Sequence, residues 1–409
     1  MTFEKLNLSA PILQALKMKG YVNPTTVQQK AIPVILEGSD VFGSAQTGSG
    51  KTAAFALPLL QLMSNKQQSS RAIRTLVLAP TRELAVQIGE SFRDYGKNLG
   101  MKHVVIFGGV SQHAQTTQLR NGVSIVVATP GRLLDLMEQG FIKLNDVEYL
   151  VLDEADKMLD MGFIHDIKKI VSKVPANRQT LFFSATLPPE IKKLASALLR
   201  HPVTIEVKPA PGSEVMVEQK LFMVDKISKT ALLCDLIRNE PISQALVFTR
   251  TKRGADKLVK ALGQKGIRAQ AIHGNKSQNI RQRALDDFKT RRVTMLVATD
   301  VASRGIDVKE LPYVINYDLP DQADSYTHRI GRTARAGAKG FAYSFCSPDE
   351  RMLLRDIQKT TGYAIPVQEH AYKSNLHAKM IEKESSRASE YSSKRPNDRV
   401  ERSRRYSRV

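Results

Sequence analysis

The chain has 409 residues, of which 42% are hydrophobic, and it carries a formal net charge of +21. This length exceeds what one ordinary hydrophobic core needs, so we expect two domains. The positive charge makes a polyanion the first candidate partner, and nucleic acid is the commonest one. The only two cysteines, Cys234 and Cys346, lie far apart in apolar settings, which argues against a disulfide framework and predicts buried thiols.

The N-terminal segment mixes charged and apolar residues, unlike a secretory signal peptide, which needs an unbroken apolar core. No later stretch approaches the roughly 18 consecutive apolar residues of a membrane span. We therefore expect a soluble, cytoplasmic protein.

Short apolar runs alternate with helix-length segments from about Ala31 to Val207. The runs are TLVLAP, HVVIFGG, SIVVATP, YLVLDE and TLFFSAT. This alternation is typical of a parallel α/β sheet, so we assign residues 1–207 to a first domain. The stretch KPAPGSE then interrupts the pattern with two prolines and a glycine, and we place a linker at residues 208–216.

The alternating pattern resumes with QALVFTR, AQAIHG, TMLVATD and YVINYD, which predicts a second parallel α/β domain over residues 217–368. SIVVATPGR in the first half has a counterpart in TMLVATDVASRG, which suggests a duplicated unit. Residues 369–409 form a basic tail that becomes poor in apolar residues from Ser385 onward. We expect this tail to be largely disordered.

The stretch AQTGSGKT has the pattern of a phosphate-binding loop. In such a loop, glycines let backbone N–H groups converge on phosphates, the lysine reaches the β and γ oxygens, and the next hydroxyl ligates magnesium. Ala45 stands where the usual pattern begins with glycine, and a flexible turn opening a helix is the structural alternative. The predicted nucleotide-binding residues of this loop are Ala45, Gln46, Thr47, Gly48, Ser49, Gly50, Lys51 and Thr52.

Three carboxylates follow the apolar run that ends at Leu152, namely Asp153, Glu154 and Asp156. Carboxylates so close together repel one another unless a cation shares their site. A phosphate loop with its lysine and a magnesium ion supplies that cation. We therefore predict that Asp153 ligates Mg²⁺ together with Thr52, and that Glu154 orients or deprotonates the attacking water. The alternative is that the acids merely favour a helix N-terminus.

The motifs together resemble one family. DEADKMLDMGF, preceded by PTRELA and TPGR and followed by SAT, ATDVASRGID and HRIGRTAR, resembles the DEAD-box RNA helicases, which are ATPases with two RecA-like domains. The resemblance covers residues 1–368 and is greatest to the bacterial RhlE-type members. It implies an ATP-dependent helicase that hydrolyses ATP on binding RNA, uses Mg²⁺, and unwinds short RNA duplexes or remodels RNA–protein complexes.

The resemblance also implies roles for individual residues. Further nucleotide contacts are expected from Phe3, Gln28, Gly305 and Asp307. RNA contacts are expected from Pro80, Thr81, Arg82, Gly109, Thr129, Arg132, Arg250, Gln278, Arg281, Thr299, Asp300 and Arg304. Coupling of hydrolysis to unwinding is expected from Asp156, Ser184, Ala185, Thr186 and His328. The catalytic set is Lys51, Asp153, Glu154, Arg332 and Arg335.

Arg332 and Arg335 are expected to cross the interdomain cleft and stabilise charge on the γ-phosphate, as arginine fingers do. A solvated basic helix face is the alternative for this pair. Ala334, between them, stands where the family usually has glycine, so backbone freedom is reduced there.

The implied RNA contacts are largely to the backbone, so little sequence preference is expected. Ribosomal or RNA-degradation complexes are candidate partners. Two other functions remain open at this point: an ATP-dependent DNA translocase of the same fold, and a non-enzymatic RNA-binding or annealing protein. The intact Lys51, Glu154 and Arg335 argue against the second.

The basic tail generates a prediction of its own. Residues 385–409 hold eight Lys or Arg against three Asp or Glu, and we expect them to tether RNA. Each phosphate neutralised on single-stranded RNA adds about 0.7 to the log–log salt slope, so contact with four phosphates adds roughly three units. Deleting residues 385–409 should flatten this slope in RNA titrations and raise the half-saturating RNA concentration, while the maximal ATPase rate is kept. Unchanged slopes would leave the tail a solubility element.

Overall fold

A computed structural model describes residues 1–45, 48–65, 72–207, 217–300, 311–333 and 339–372. The predicted linker at 208–216 and the tail beyond residue 372 lie outside these described residues. Within the described ranges, no helix is both long enough and apolar enough to cross a bilayer.

The first half of the chain forms one parallel sheet covered by helices. Its strands are β1 (Val41–Ser44), β2 (Thr75–Leu78), β3 (His103–Ile106), β4 (Ile125–Ala128), β5 (Tyr149–Leu152), β6 (Gln179–Ser184) and β7 (Val203–Glu206). Its described helices are α1 (Ala10–Met18), α2 (Thr26–Leu36), α3 (Lys51–Ser64), α4 (Arg82–Tyr95), α5 (His113–Arg120), α6 (Pro130–Glu138), α7 (Ala155–Asp160), α8 (Ile164–Val171) and α9 (Pro189–Leu198). The strand order is β3-β4-β2-β5-β6-β1-β7.

The second half forms another parallel sheet. Its strands are β8 (Val217–Met223), β9 (Ala245–Phe248), β10 (Ala269–Ile272), β11 (Met295–Ala298), β12 (Tyr313–Asn316) and β13 (Gly340–Cys346). Its described helices are α10 (Lys229–Asn239), α11 (Lys252–Gln264), α12 (Gln278–Lys289), α13 (Ala323–Ile330) and α14 (Arg351–Thr361). The strand order is β10-β11-β9-β12-β13-β8. The domain limits stay a prediction, because the segment between β7 and β8 lies outside the described residues.

The two sheets share one topology. When the strands of each half are counted from its own first strand, both sheets read 3-4-2-5-6-1, and β7 adds a seventh strand to the first. The similar stretches SIVVATP and TMLVATD form β4 and β11, which occupy the same place in the two sheets. The predicted α/β class and the predicted duplication are therefore confirmed.

The central strands are apolar because both faces of each sheet are covered. Every residue of β2, β4 and β5 is buried, as expected where helices pack on both sides of a parallel sheet. In the first half, one core cluster includes residues of α2, α3 and α4, and the other includes residues of α6, α8 and α9. Cys234 and Cys346 are buried free thiols, as predicted, and burial raises the pKa of both.

A buried ion cluster stands in the second half where the first half has its phosphate loop. Lys229 begins α10 after β8, as Lys51 begins α3 after β1. The Lys229 ammonium is 1% exposed and lies 3.1 Å from Asp318 Oδ1 and 2.6 Å from Glu350 Oε2. Asp318 follows β12 much as Asp153 follows β5. The carboxylate of Glu350 thus neutralises this lysine from within the fold.

Replacing Glu350 tests the cluster. Glu350→Ala leaves the Lys229 ammonium buried with one fewer carboxylate, which should lower the free energy of unfolding by about 3–5 kcal/mol in chemical unfolding followed by circular dichroism. Glu218→Ala is the control, because the Glu218 side chain is 58% exposed and lies 3.6 Å from Lys220. That change should cost less than about 1 kcal/mol. Equal losses in the two variants would show that the buried cluster contributes little stability.

Candidate active site

The phosphate loop follows the carboxyl end of β1 and ends where α3 begins at Lys51. Gly48 and Gly50 have φ angles of +87° and +94°, a left-handed conformation that glycine adopts without a steric penalty. The ammonium of Lys51 is buried and donates a hydrogen bond to the carbonyl of Ala45 at 2.8 Å. The lysine is therefore held over its own loop, where the phosphates of a nucleotide would lie.

Gln28 joins α2 to the phosphate loop. Its Oε1 accepts a hydrogen bond from the backbone N–H of Thr25 at 3.0 Å, and its Nε2 donates to the carbonyl of Gly50 at 3.1 Å. A Cβ atom at Gly50 would lie 2.4 Å from that Nε2, so only glycine allows this approach. Phe3 is buried in the core cluster that contains α2 and α3. Both residues thus lie close to the loop's scaffold, and the adenine contact stays a prediction.

Two buried carboxylates follow β5 directly. Asp153 Oδ1 accepts a hydrogen bond from the N–H of Glu154 at 3.0 Å. Glu154 has a φ of +52°, which is uncommon for a residue with a side chain and costs about 1 kcal/mol or more. Its Oε2 lies 2.7 Å from the ammonium of Lys157, one helical turn further on. The strained backbone and the ion pair together fix the direction of the Glu154 side chain.

The pKa values of Asp153 and Glu154 are shifted in opposite directions. Burial raises the pKa of Asp153, although Lys51 opposes that effect. Burial alone would raise the pKa of Glu154 too, but the positive charges of Lys157 and Lys51 outweigh burial and lower it. Glu154 is therefore held as a carboxylate.

Asp156 connects the acidic segment to the end of β6. Its Oδ2 accepts hydrogen bonds from the N–H of Ala185 at 3.2 Å, the N–H of Thr186 at 2.9 Å and the hydroxyl of Thr186 at 3.0 Å. The hydroxyl of Ser184 donates to the carbonyl of Thr186 at 2.7 Å. All four predicted coupling residues of the first half thus form one hydrogen-bonded unit.

Residues of the second half reach this acidic site. Arg332, just after α13, is buried, and its charge contributes to lowering the pKa of both Glu154 and Lys157. Burial, followed by the charge of Lys157, lowers the pKa of His328 in α13. The structure therefore brings two predicted residues of the second half to the first half's carboxylates.

Three arginines converge on the other side of the cleft. The Arg82 guanidinium lies against Gly109, whose φ is +79°, and a Cβ atom there would lie 2.2 Å from Arg82 Nη1. Burial, and then the charges of Arg281 and Arg132, lower the pKa of Arg82. The Thr81 hydroxyl caps α4 beside this group by accepting a hydrogen bond from the N–H of Leu84, and Thr129 directly precedes α6. Such a concentration of guanidinium groups suits phosphate oxygens. Pro80, directly before Thr81, lies at the same carboxyl edge of the sheet.

Gln278 and Arg281 pair with the first half rather than standing free. Arg281 Nη2 lies 2.7 Å from Glu83 Oε1, and Gln278 Nε2 donates to the same oxygen at 3.2 Å. Glu83 is 2% exposed, so this is a buried contact between the two halves.

Two predicted RNA contacts take part in ion pairs inside the second half. Arg250 Nη2 lies 2.8 Å from Glu350, which belongs to the buried ion cluster. Asp300 receives two hydrogen bonds from Arg329, at 2.6 and 2.7 Å, next to Thr299 at the end of β11. These groups therefore position neighbouring residues, and any RNA contact they make stays a prediction.

Six predicted residues lie outside the described structure. They are Gln46, Thr47, Arg304, Gly305, Asp307 and Arg335. The residues whose contacts were not predicted are Glu83 and Lys157. Of these, only Lys157 had a local signal, because its spacing of three from Glu154 places both side chains on one helix face.

Comparisons with known proteins agree with the geometry. The family model described as DEAD/DEAH box helicase matches residues 25–194, and the helicase conserved C-terminal domain matches residues 228–337. The DEAD-box ATP-dependent RNA helicase CshA of Streptococcus pneumoniae is 45% identical over 88% of this chain and 68% of the relative. The chain belongs to the DEAD-box family of ATP-dependent RNA helicases. This membership favours an RNA helicase over a DNA translocase or a non-enzymatic RNA-binding protein.

Other relatives of this helicase include the ATP-dependent RNA helicase DeaD of Escherichia coli, which is 42% identical over 89% of the chain and 58% of the relative. Among solved structures, Saccharomyces cerevisiae Dbp5 bound to RNA and ADP BeF3 matches with a TM-score of 0.78 at 29% identity, covering 90% of this chain and 95% of that one. A DEAD box protein from Methanococcus jannaschii is 40% identical over 90% of this chain and 99% of that one, with a TM-score of 0.53. The tandem RecA-like fold is confirmed, and the RhlE-type assignment stays a prediction.

Glu154→Gln tests whether the Glu154 carboxylate takes part in ATP hydrolysis. The amide keeps the size of the side chain and leaves Lys51, Thr52 and Asp153 in place, so ATP and RNA binding should persist. It removes the negative oxygen that would orient or deprotonate water, so RNA-stimulated phosphate release should fall by about 10² or more. Asp160→Asn, at the exposed end of α7, is the control and should be neutral. Turnover within a few-fold of wild type would remove Glu154 from the chemistry.

Proposed function

We propose that this helicase hydrolyses ATP in the cleft between its two halves, and that ATP and RNA both favour the closed arrangement. The observation that carries the proposal is the set of contacts across the cleft. On one side, Arg332 and His328 lie near the carboxylates that follow β5. On the other, Arg281 pairs with Glu83. A ligand that contacts both halves stabilises the closed state relative to an open one.

The arrangement of the halves supports this proposal. The M. jannaschii protein is more similar in sequence than Dbp5 but has the lower TM-score, 0.53 against 0.78. The Dbp5 structure was solved with RNA and ADP BeF3 bound. A difference of this kind, at similar coverage, is expected when the halves are placed differently while each half keeps its fold.

The proposed catalytic roles follow the described geometry. The glycines of the phosphate loop leave backbone N–H groups free to turn toward phosphates, and Lys51 adds a positive charge at the β and γ oxygens. Glu154 orients or deprotonates the attacking water. Arg332 stabilises charge that develops on the γ-phosphate, a role that we also give to Arg335 on the strength of the family motif.

Mg²⁺ fits the residues present. Mg²⁺ usually takes one or two protein ligands and completes its shell with substrate phosphates and water. In the described part of the chain, no group of three or more acidic, His or Cys side chains is arranged to hold a metal by itself. Asp153 and Thr52 would hold it. When bound, Mg²⁺ neutralises phosphate charge.

RNA would lie across the guanidinium groups of Arg82, Arg132 and Arg281. Because phosphate contacts carry no base information, binding should be largely independent of sequence. Closure on one strand would release its partner over a short distance, which gives local unwinding or remodelling of RNA–protein complexes. A cytoplasmic location and partners in ribosomal or RNA-degradation complexes belong to the same proposal.

Replacing Arg332 tests whether this residue acts mainly in the closed state of the two halves. Arg332→Ala should lower RNA-stimulated kcat by about 10³ or more while ATP affinity changes little, because the contact forms mainly in the closed state. Arg332→Lys should restore only part of the rate, since lysine lacks the planar fork of donors. ATP turnover is compared with RNA and with single-stranded DNA of the same sequence. A parallel loss of ATP affinity and rate would make Arg332 a ground-state ligand, and equal stimulation by DNA would refute RNA specificity.

A further inference from the structure

The excess positive charge of the second half is confined to one stretch of the chain. Residues 209–368 contain 26 Lys or Arg and 17 Asp or Glu. Residues 252–292 alone hold twelve of these basic residues and three of the acidic ones, so the remainder is balanced at fourteen each. The stretch consists of α11, β10, α12 and the turns that join them. This one stretch of the chain therefore accounts for the whole surplus of basic residues.

This stretch covers the edge of the second sheet. β10 is the edge strand, α11 packs on one core cluster and α12 on the other. Helix α11 buries Ala255, Leu258 and Leu262 against its cluster. We call five exposed basic residues of α11 and of the turn before β10 the outer basic face: Arg253, Lys257, Lys260, Lys265 and Arg268. Lys252, the first residue of α11, instead donates a hydrogen bond to Asn275.

The outer basic face presents its cations in a row. Arg253, Lys257 and Lys260 are spaced four and three residues apart, so they line one side of α11. At about 1.5 Å per residue they span about 10 Å. A row of exposed cations at this spacing can follow successive phosphates of a nucleic-acid strand.

The acids of the stretch are engaged elsewhere. Asp256 lies 2.9 Å from Lys276 Nζ and 3.1 Å from His273 Nε2. Asp287 accepts a hydrogen bond from Gln270 and lies 3.6 Å from Arg292. Asp286 accepts a hydrogen bond from Gln282. All three acids thus have contacts outside the outer basic face, and the five cations of that face outnumber the single acid of their part of the chain, Asp256.

The outer basic face adjoins the interdomain cleft. Helix α11 begins directly after Arg250 and Thr251, which follow the carboxyl end of β9. Helix α12 begins with Gln278, and with Arg281 it contacts Glu83 of the first half. The basic surface therefore continues outward from the end of the second half that faces the proposed RNA site.

We propose that the outer basic face binds the phosphate backbone of RNA that extends beyond the interdomain cleft. This inference rests on the proposed RNA-binding function and adds a second contact region to it. The five residues offer long, mobile cations and no aromatic ring on which a base could stack, so the contact should be independent of sequence. It would hold the flanking part of a long RNA while the cleft acts on another part.

The test variant is Arg253→Gln/Lys257→Gln/Lys260→Gln, in the full-length chain. Its matched control is Lys168→Gln/Lys192→Gln/Lys193→Gln, which removes three exposed helical lysines of the first half and lowers the net charge equally. Affinity is measured from about 50 to about 200 mM salt for an RNA of about 30 nucleotides and for one of about 8 nucleotides, which spans about 30 Å at roughly 3.4 Å per nucleotide.

For the long RNA, loss of three phosphate contacts should lower the log–log salt slope by about two units in the test variant. The ratio of Kd values, variant over wild type, should then fall about 20-fold over that salt range. With the short RNA, affinity and maximal ATPase rate should match wild type. The control variant should resemble wild type with both RNAs.

Equal slopes for the test and control variants with long RNA would overturn the proposal and leave the surface a solvated charged face. An equal loss with short RNA would also overturn it, because the residues would then act in the cleft. Failure of the proposed function looks different, because wild type itself would show no RNA-stimulated ATPase with either RNA.

Discussion

The buried ion pair between Glu83 and Arg281 is the contact around which we propose that the two halves close. Removing a carboxylate from water costs several kcal/mol unless a cation and hydrogen-bond donors replace its hydration. Glu83 is buried in the first half, and Arg281 and Gln278 of the second half both bind its Oε1. In the proposed closed state, the pairing of Glu83 and the approach of Arg332 to Glu154 occur together. The proposed catalytic site would thus depend on a contact that includes none of the residues assigned to ATP.

The duplicated fold shows how one topology was adapted in two ways. Both sheets place a lysine at the start of the helix after their first strand and an aspartate just beyond their fifth, Lys51 with Asp153 and Lys229 with Asp318. In the second half, the carboxylate of Glu350 fills the position of an anion and makes the lysine part of the core. In the first half, Lys51 instead donates to the carbonyl of Ala45, and in the proposed function the nucleotide supplies the anion.

Within the first half, the catalytic carboxylate is fixed by local means. A left-handed backbone at Glu154 and the ammonium of Lys157 determine where its carboxylate points and keep it charged. Asp156, two residues on, is bound to the segment after β6 by three hydrogen bonds. A shift of that segment would therefore move the acidic turn, which gives a physical route between the proposed RNA-dependent closure and the proposed hydrolytic site.

The sequence by itself determined the α/β class and the duplication, and it predicted the residues of the phosphate loop and acidic segment. These features are local in the sequence. Apolar runs indicate buried strands, and glycines beside a lysine indicate a loop whose backbone can bind an anion. Only the tertiary structure decided the partners of Glu83, Arg250 and Asp300. Their partners lie far away in the sequence or in the other half, and neither periodicity nor spacing records such a distance. A charged side chain selects its partner through three-dimensional proximity in a site that excludes water, and that proximity exists only once the sheets have formed and the two halves have met.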